Sequence, residues 1–181
     1  MLESNAEVHK VLAGDQEAFS ELYNETIHSI YRMLYFLTDS KEDLDDIVQD
    51  VYVELYRSLP RFDPSRSLRA WLYGIAIRQH QSYRRKKWRQ ARKDNKEKQL
   101  QAAPVELDFS GAVIERLSAD DAVREIEGLS YKLKQVVILR YLNDLSQEEI
   151  AEIAGIPLGT VKSRLNLALR KLRTTIRRNV E

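Results

Sequence analysis

The sequence predicts an all-α fold of two small helical domains joined by a linker. Apolar residues recur at three- and four-residue steps between positions 19 and 34, 44 and 55, and 68 and 76, and again from position 118 onward. No strand-like alternation persists. Only six glycines and four prolines occur among 181 residues, which suits a largely helical chain. With 43% hydrophobic residues, a chain of this length can bury one ordinary core or two small ones.

The first domain is predicted to contain three helices. Asp15 can cap the first of them. Its apolar face comprises Phe19, Leu22, Tyr23, Ile27, Ile30, Tyr31 and Leu34. The second helix has the same period through Leu44, Ile47, Val48, Val51, Tyr52 and Leu55, until Pro60 and Pro64 interrupt it. The third begins near Leu68 and continues into a basic segment. These apolar faces are sufficient for one small bundle.

Residues 94–117 have no sustained period and are predicted to be a linker. Val105, Leu107 and Phe109 are too apolar for a purely solvated tether, so we expect them to pack against a domain or a partner. Helical periodicity then resumes to the C-terminus.

The second domain contains a helix-turn-helix pattern in LSQEEIAEIAGIPLGTVKSRLNLAL. Ser146 and Glu149 have the spacing of a capping box, and Gly155 ends the short helix that follows. Pro157 and Gly159 mark the start of a longer basic helix. The predicted buried stripe of that helix is Val161, Leu165, Ala168 or Leu169, Leu172 and Ile176.

Charge is sorted along the chain although the totals, 29 basic and 28 acidic residues, nearly balance. Seven carboxylates lie between residues 39 and 54, whereas residues 84–98 contain nine Lys or Arg against two acids. Residues 159–178 carry seven basic side chains and no carboxylate. This sorting indicates charged polymers as partners. The alternative for the last helix is a solvated face, but the capped helix and the glycine turn before it favour DNA binding.

The composition also excludes several classes of protein. The absence of cysteine excludes a disulfide scaffold and a thiol nucleophile, and it suits a reducing compartment. No run approaches the roughly 18 to 20 apolar residues of a membrane span. The first residues lack the pattern of a secretory signal, so a cytoplasmic location is expected. No metal or cofactor site is predicted.

The motifs together resemble the extracytoplasmic-function sigma factors of the sigma-70 family, which direct bacterial RNA polymerase to promoters. GLSYKLKQVVILRYLNDLSQEEIAEIAGIPLGTVKSRLNLALRKLR is similar to region 4. GDQEAFSELY resembles region 2.1, EDLDDIVQDVYVELYRSLPRFD resembles region 2.2, and RSLRAWLYGIAIRQHQSYRRKK resembles regions 2.3 and 2.4. The resemblance implies region 2 in residues 1–93, a linker in 94–117, and region 4 in 118–181.

The resemblance assigns the outward face of the second helix to the clamp coiled coil of the polymerase largest subunit. The residues carried over are Asp46, Gln49, Asp50 and Val53. Asp46 and Asp50 place like charges one turn apart, a repulsion that a basic partner would relieve. The alternative is an ordinary acidic solvent face.

The resemblance also implies capture of the melted −10 strand, for which aromatic and basic side chains are suited. The implied residues are Phe62, Arg66, Arg78, Gln79, Tyr83, Arg84 and Arg85, with Trp88 as a further candidate. Trp71 is expected in the core because it lies on the apolar stripe. Arg78 and Ser82 stand where the family commonly has Asn and Asp, so the −10 preference does not carry over.

Recognition of the −35 duplex is assigned to Thr160, Lys162, Ser163, Arg164, Leu167 and Lys171. Lys162 and Arg164 can reach guanine edges or phosphates, while later basic residues suit phosphates. Leu167 stands where the family often has a basic residue. It can meet a thymine methyl group, contact the polymerase flap, or be an exposed leucine.

The family also implies an anti-sigma factor, often membrane-anchored, as a partner.

Two other classes of protein compete with the sigma-factor interpretation. A free-standing helix-turn-helix regulator would leave the acidic helix and the basic tail of the first domain unexplained. A hydrolase using the Asp cluster with His28 or His80 lacks a glycine-rich phosphate loop, a nucleophile context and metal-ligand spacing, so no enzymatic activity is expected.

Overall fold

The computed structural model describes the backbone of residues 5–94 and 126–180, and the side chains of residues 8–92 and 126–173. Within these ranges every regular element is helical, which confirms the predicted all-α fold. The α-helices are α1 Asn5–Leu12, α2 Gln16–Leu37, α3 Leu44–Ser58, α4 Leu68–Asp94, α5 Tyr131–Val137, α6 Gln147–Ala154 and α7 Leu158–Val180. Val105, Leu107 and Phe109 lie outside the described residues.

Helices α1 to α4 form the first bundle, with the boundaries that the sequence indicated for α2 and α3. The Asp15 carboxylate accepts hydrogen bonds from the backbone amides of Glu17 and Ala18, at 2.9 and 3.2 Å, and so satisfies two donors that the first turn of α2 leaves unpaired. Helix α3 ends at Ser58, before a 3₁₀ turn over Leu59–Arg61. The short helix α1, which the periodicity did not reveal, contributes Val8 and Val11 to the core.

The two aromatic residues near the start of α4 both pack against the core. Phe62, expected to face DNA, is buried with only 7% of its surface exposed. Trp71, expected in the core, is half-buried and covers Phe62, with the ring centroids 4.8 Å apart. Phe62 follows the 3₁₀ turn directly and is directed inward by it, whereas the larger indole remains at the rim.

Helices α5 to α7 form the second bundle, and its helix-turn-helix has the predicted local geometry. The Ser146 amide donates to Glu149 at 2.7 Å, and the Glu149 amide donates to the Ser146 hydroxyl at 3.1 Å, so the capping box is confirmed. Gly155 ends α6 at φ 62°, in the left-handed region that glycine adopts without steric cost. The stripe of α7 packs inward through Val161, Leu165 and Ala168.

The two bundles pack against each other between α4 and α6, and also at the C-terminal end of a π-helical turn at Ile138–Leu142. Carbonyl groups at a helix end have no partner within the helix. Here Arg32 donates to the Leu142 carbonyl at 2.6 Å, and Arg69 donates to the Asn143 carbonyl at 3.0 Å. The buried Asn143 side chain donates to the Tyr73 hydroxyl at 2.9 Å. Side chains of one bundle therefore complete the helix end of the other.

Candidate nucleic-acid interface

Helix α4 is 27 residues long and presents three different faces beyond its buried apolar residues. The outward face is formed by residues three and four positions apart, as helical geometry requires. Its members are the exposed side chains Arg78, Ser82, Arg85 and Arg89. The Arg78 guanidinium lies along Gly74, where an added Cβ atom would be 3.2 Å from its Nη1 atom. This face is a continuous basic stripe.

The face of α4 that points toward α3 contains a network of three charged or polar groups. The Tyr83 hydroxyl donates to Asp43 Oδ2 at 2.6 Å, and Lys87 Nζ donates to the same oxygen at 3.0 Å. Lys87 also donates to the Tyr83 hydroxyl at 2.9 Å. Hydrogen bonds from Tyr83, then from Lys87, lower the pKa of Asp43 below its ordinary value. Partial burial, followed by the bond to Asp43, raises the pKa of Tyr83.

A groove of about 740 Å³ lies beside this network, between α3 and α4. One wall carries the predicted polymerase contacts and the other carries predicted −10 residues. The lining residues are Asp43, Asp46, Ile47, Gln49 and Asp50 on the α3 side, and Gln79, Ser82, Tyr83, Lys86, Lys87 and Gln90 on α4. The two predicted sites, which are separate in the sequence, therefore lie on opposite sides of one groove.

The third face of α4 contacts the second bundle through the buried His80 and the exposed Arg84. The Arg84 guanidinium lies 3.8 Å from the centroid of the Tyr131 ring, and the His80 ring stacks on the same tyrosine at 5.6 Å. The His80 Nδ1 atom is 3.3 Å from the Tyr131 hydroxyl. Burial, with a smaller effect of the Arg84 charge, lowers the pKa of His80 to about 4. Arg84, a predicted −10 residue, is thus engaged within the chain.

The loop before α4 also contacts the second bundle. Asp63 accepts hydrogen bonds from the Ser65 amide at 3.0 Å and the Ser65 hydroxyl at 2.8 Å, which closes a turn. Arg66, which follows this turn, forms an ion pair with Glu152 of α6. Both side chains are about half exposed, and so the pair contributes little to stability. Of the predicted −10 residues, Arg66 and Arg84 contact the other bundle.

The outward face of α3 is acidic, as the sequence indicated. Asp46, Gln49 and Asp50 are exposed, and Val53 is 38% exposed. A second groove, of about 670 Å³, borders this face on the side of α2. This groove has an aromatic lining that was missed in the sequence, because residues at helical spacing are expected in the core. The lining includes Phe19, Tyr23, Tyr31, Tyr52 and Tyr56.

Helix α7 presents its predicted recognition residues on the side away from its buried stripe. Lys162, Ser163 and Lys171 are exposed, whereas Thr160 and Arg164 are half-buried. The Ser163 hydroxyl donates to the Thr160 carbonyl at 3.0 Å. Ala168 is fully buried and Leu169 only half-buried, which decides the alternative left open by the sequence. Leu167 is 38% exposed.

Comparisons with known proteins agree with this two-part arrangement. Residues 14–90 match sigma-70 region 2, and residues 119–172 match sigma-70 region 4. The chain belongs to the extracytoplasmic-function sigma factors. It is 30% identical to the ECF RNA polymerase sigma factor SigW of Bacillus subtilis, over 94% of this chain and 95% of SigW. It is also 30% identical to the ECF RNA polymerase sigma-E factor of Escherichia coli K12, over 87% and 86% of the two chains.

Two solved structures share the fold of this sigma factor. The sigma factor RpoE of Bartonella quintana, solved with the anti-sigma factor NepR, aligns with a TM-score of 0.72 at 22% identity, over 88% of this chain and 96% of that one. CnrH, solved with the cytosolic domain of CnrY, aligns with a TM-score of 0.69 at 22% identity, over 95% and 96%.

Membership of this family confirms the predicted function. The protein is an alternative sigma factor that acts with core RNA polymerase and directs it to promoters. Sigma factors are transcription initiation factors. None of the helices within the described residues combines the length and apolar character needed to cross a membrane.

Proposed function

We propose that the sigma factor uses three surfaces, each on a different helix. Residues 1–93 act as region 2, residues 94–117 as the linker and residues 118–181 as region 4. The acidic face of α3 binds the clamp coiled coil of the polymerase, the basic side of α4 holds the melted −10 strand, and α7 reads the −35 duplex. The separation of acidic and basic side chains onto different exposed helix faces is the observation that carries this proposal.

The polymerase contact rests on Asp46, Gln49, Asp50 and Val53. Two exposed carboxylates one turn apart repel each other, and a basic helix of the partner would neutralise both. Val53 adds an apolar contact at the end of the acidic row. The same face borders the aromatic groove, which widens the surface available to the partner.

The −10 contact rests on six residues: Arg66, Arg78, Gln79, Tyr83, Arg84 and Arg85. Phe62 is left out because its ring is buried beneath Trp71. Trp88, 59% exposed with Arg92 stacked on it at 4.2 Å, continues the basic helix and is a further stacking candidate. Arg84 and Arg66 contact the second bundle, so we infer that region 4 moves away from α4 when the promoter strand binds.

The −35 contact rests on Thr160, Lys162, Ser163, Arg164, Leu167 and Lys171. The first turns of α7 carry groups that reach base edges, and the later basic residues suit phosphates. Leu167 is only partly exposed among basic neighbours, and contact with a thymine methyl group is the role we assign to it. The polymerase flap remains the second candidate partner for this side of region 4.

Regulation is proposed to come from an anti-sigma factor, by analogy with the relative solved with NepR. Such a partner, whether or not it is anchored in a membrane, would cover the surfaces described above. We place the sigma factor itself in the bacterial cytoplasm with the polymerase, and we assign it no catalytic activity, since RNA synthesis belongs to the core enzyme.

The test is transcription by core polymerase on a pool of upstream genomic fragments, with the sigma factor added or omitted. Start sites that require the sigma factor would supply its −10 and −35 sequences. Their absence with folded protein, combined with tight duplex binding without core polymerase, would favour a free-standing regulator instead.

A further inference from the structure

Asp43 lies at a junction to which the sequence analysis gave no function. It directly precedes α3, and its Oδ2 atom accepts hydrogen bonds from Tyr83 at 2.6 Å and from Lys87 at 3.0 Å. Because Lys87 also donates to the Tyr83 hydroxyl, each of the three groups contacts the other two. One carboxylate therefore restrains two side chains that lie one turn apart on α4.

Helix packing alone does not require this network. Helices α3 and α4 pack through apolar residues of the shared core, among them Val51, Leu55 and Leu72. The Lys87 and Asp43 side chains remain 51% and 41% exposed, a setting in which an ion pair adds little to folding. The network has a larger effect on side-chain order. It restricts the rotamers of Tyr83 and Lys87 at the rim of the groove between α3 and α4.

We propose that Asp43 is a positioning residue for capture of the melted −10 strand. It holds the Tyr83 ring and the Lys87 ammonium group together, so that a base can stack on the ring while a neighbouring phosphate meets the ammonium group. This inference rests on the proposed function, which places the strand on α4. Ordering both side chains before the strand arrives lowers the entropy lost on binding.

The proposal and simple electrostatics predict opposite effects on DNA affinity when the Asp43 carboxylate is removed. A carboxylate beside a DNA path repels phosphates, so its removal alone would tighten binding, most strongly at low salt. Glu42 offers the matched control because it is the adjacent residue on the same 3₁₀ turn, carries the same charge and is exposed. Loss of either charge changes the field at the strand similarly, whereas only Asp43 bonds to Tyr83 and Lys87.

The experiment measures binding of the holoenzyme to a fluorescent single-stranded oligonucleotide carrying the nontemplate −10 region of a promoter that the sigma factor activates. Asp43→Ala is expected to weaken binding about three- to tenfold. Glu42→Ala is expected to leave binding equal or tighter. Asp43→Asn should retain most of the affinity because its amide oxygen still accepts the Tyr83 proton. Tyr83→Phe should lose as much as Asp43→Ala, and the double variant no more than either.

Binding by Asp43→Ala as tight as that by Glu42→Ala would overturn the proposal, and so would fully additive losses in the double variant. Thermal unfolding and core polymerase binding are measured alongside. If Asp43→Ala does not fold, Tyr83→Phe carries the test, since it keeps both the ring and the carboxylate. Unchanged strand binding by Tyr83→Ala would remove Tyr83 from the −10 surface, and the positioning role of Asp43 with it, while the other −10 residues and the polymerase surface would stand.

Discussion

The two basic helices, α4 and α7, are assigned to DNA but are held by the rest of the chain in different ways. On α4, the Tyr83 hydroxyl is hydrogen-bonded to Asp43, and the Arg84 guanidinium lies over the Tyr131 ring. On α7, the buried stripe fixes the helix, while Lys162 extends into solvent. The difference fits the two targets. A melted strand has no regular shape, so the protein must supply the order, whereas a duplex groove is already rigid and accepts a single helix face.

The contacts of α4 also come from both halves of the chain. Asp43, which directly precedes α3, restrains one side of it, and Tyr131 of the second bundle contacts another. Helix α7, in contrast, packs mainly on α5 and α6 of its own bundle. We therefore expect the proposed −10 surface to depend on the arrangement of the whole molecule, and the proposed −35 surface to depend mainly on the fold of the second bundle.

The largest effect is expected from reversing the charge of the acidic face of α3. Asp46→Lys with Asp50→Lys is expected to weaken binding to core polymerase about 100-fold, because two attractive contacts become repulsive ones. Fluorescence anisotropy with labelled sigma factor measures this affinity. Binding of duplex −35 DNA by the same variant should be unaffected or slightly tighter.

The matched control for charge reversal is Glu17→Lys with Glu21→Lys, an exposed pair with the same spacing on α2. Neither residue lines a groove beside the α3 face, and the double variant should leave core binding within about twofold. Equal losses in the two double variants would contradict the assignment of the α3 face.

Acid should loosen the covered side of α4 through His80. Its pKa is lowered from 6.5 to about 4 in the folded protein, chiefly by burial, so the unfolded chain binds a proton more readily. The stability that neutral His80 provides is complete above pH 6.5 and is lost as the pH falls toward 4. Neutral His80 contributes about 3 kcal/mol to the free energy of unfolding, and about 2 kcal/mol of this contribution is lost between pH 7 and pH 5. Urea unfolding at several pH values measures it.

The control for this titration is a pair of substitutions. His80→Gln should flatten the dependence of unfolding free energy on pH, whereas His28→Gln, at an exposed site on α2, should leave it unchanged. A wild-type slope retained in His80→Gln would show that other groups cause the acid sensitivity.

One arginine on each helix distinguishes the reading of a base from contact with phosphates. Arg164→Ala is expected to cost about 1 to 3 kcal/mol at a single base pair of the −35 element, because a bidentate contact reads one guanine. Arg85→Ala, on the exposed stripe of α4, should weaken binding of all −10 sequences by a similar small factor. Promoter series with one base changed at a time distinguish the two. A uniform loss for Arg164→Ala would place that side chain on a phosphate.

The smallest expected effect comes from removing the contact between Arg84 and Tyr131. Tyr131→Ala removes the stacked ring and its attraction for the guanidinium group, worth about 1 kcal/mol. The halves should separate more often, seen as a larger radius of gyration in solution scattering, and free sigma factor should bind single-stranded DNA a few-fold better. Tyr141→Ala, at an exposed position of the same bundle, is the control. An unchanged radius in Tyr131→Ala would show that other contacts hold the closed arrangement.

The features that could be predicted are those determined by neighbours in sequence. The Asp15 cap, the Ser146 and Glu149 capping box and the left-handed Gly155 each depend on a few consecutive residues, and all have the predicted geometry. The environments of Phe62 and Trp71 could not be predicted in this way. The Phe62 ring packs under Trp71, nine positions away on another element, and this packing does not follow from the local pattern.

Periodicity, caps and charge runs are local and survive any arrangement of the helices, so the sequence alone was enough to predict the helical fold and the helix-turn-helix. Its resemblance to known sigma factors was enough to predict the family. The contacts of Asp43 with Tyr83 and of Tyr131 with Arg84 are visible only in the tertiary structure. These pairs are 40 and 47 positions apart, and their contact depends on how helices from separate segments cross. A linear pattern carries no information on such crossings, since they follow from the shapes of packed side chains.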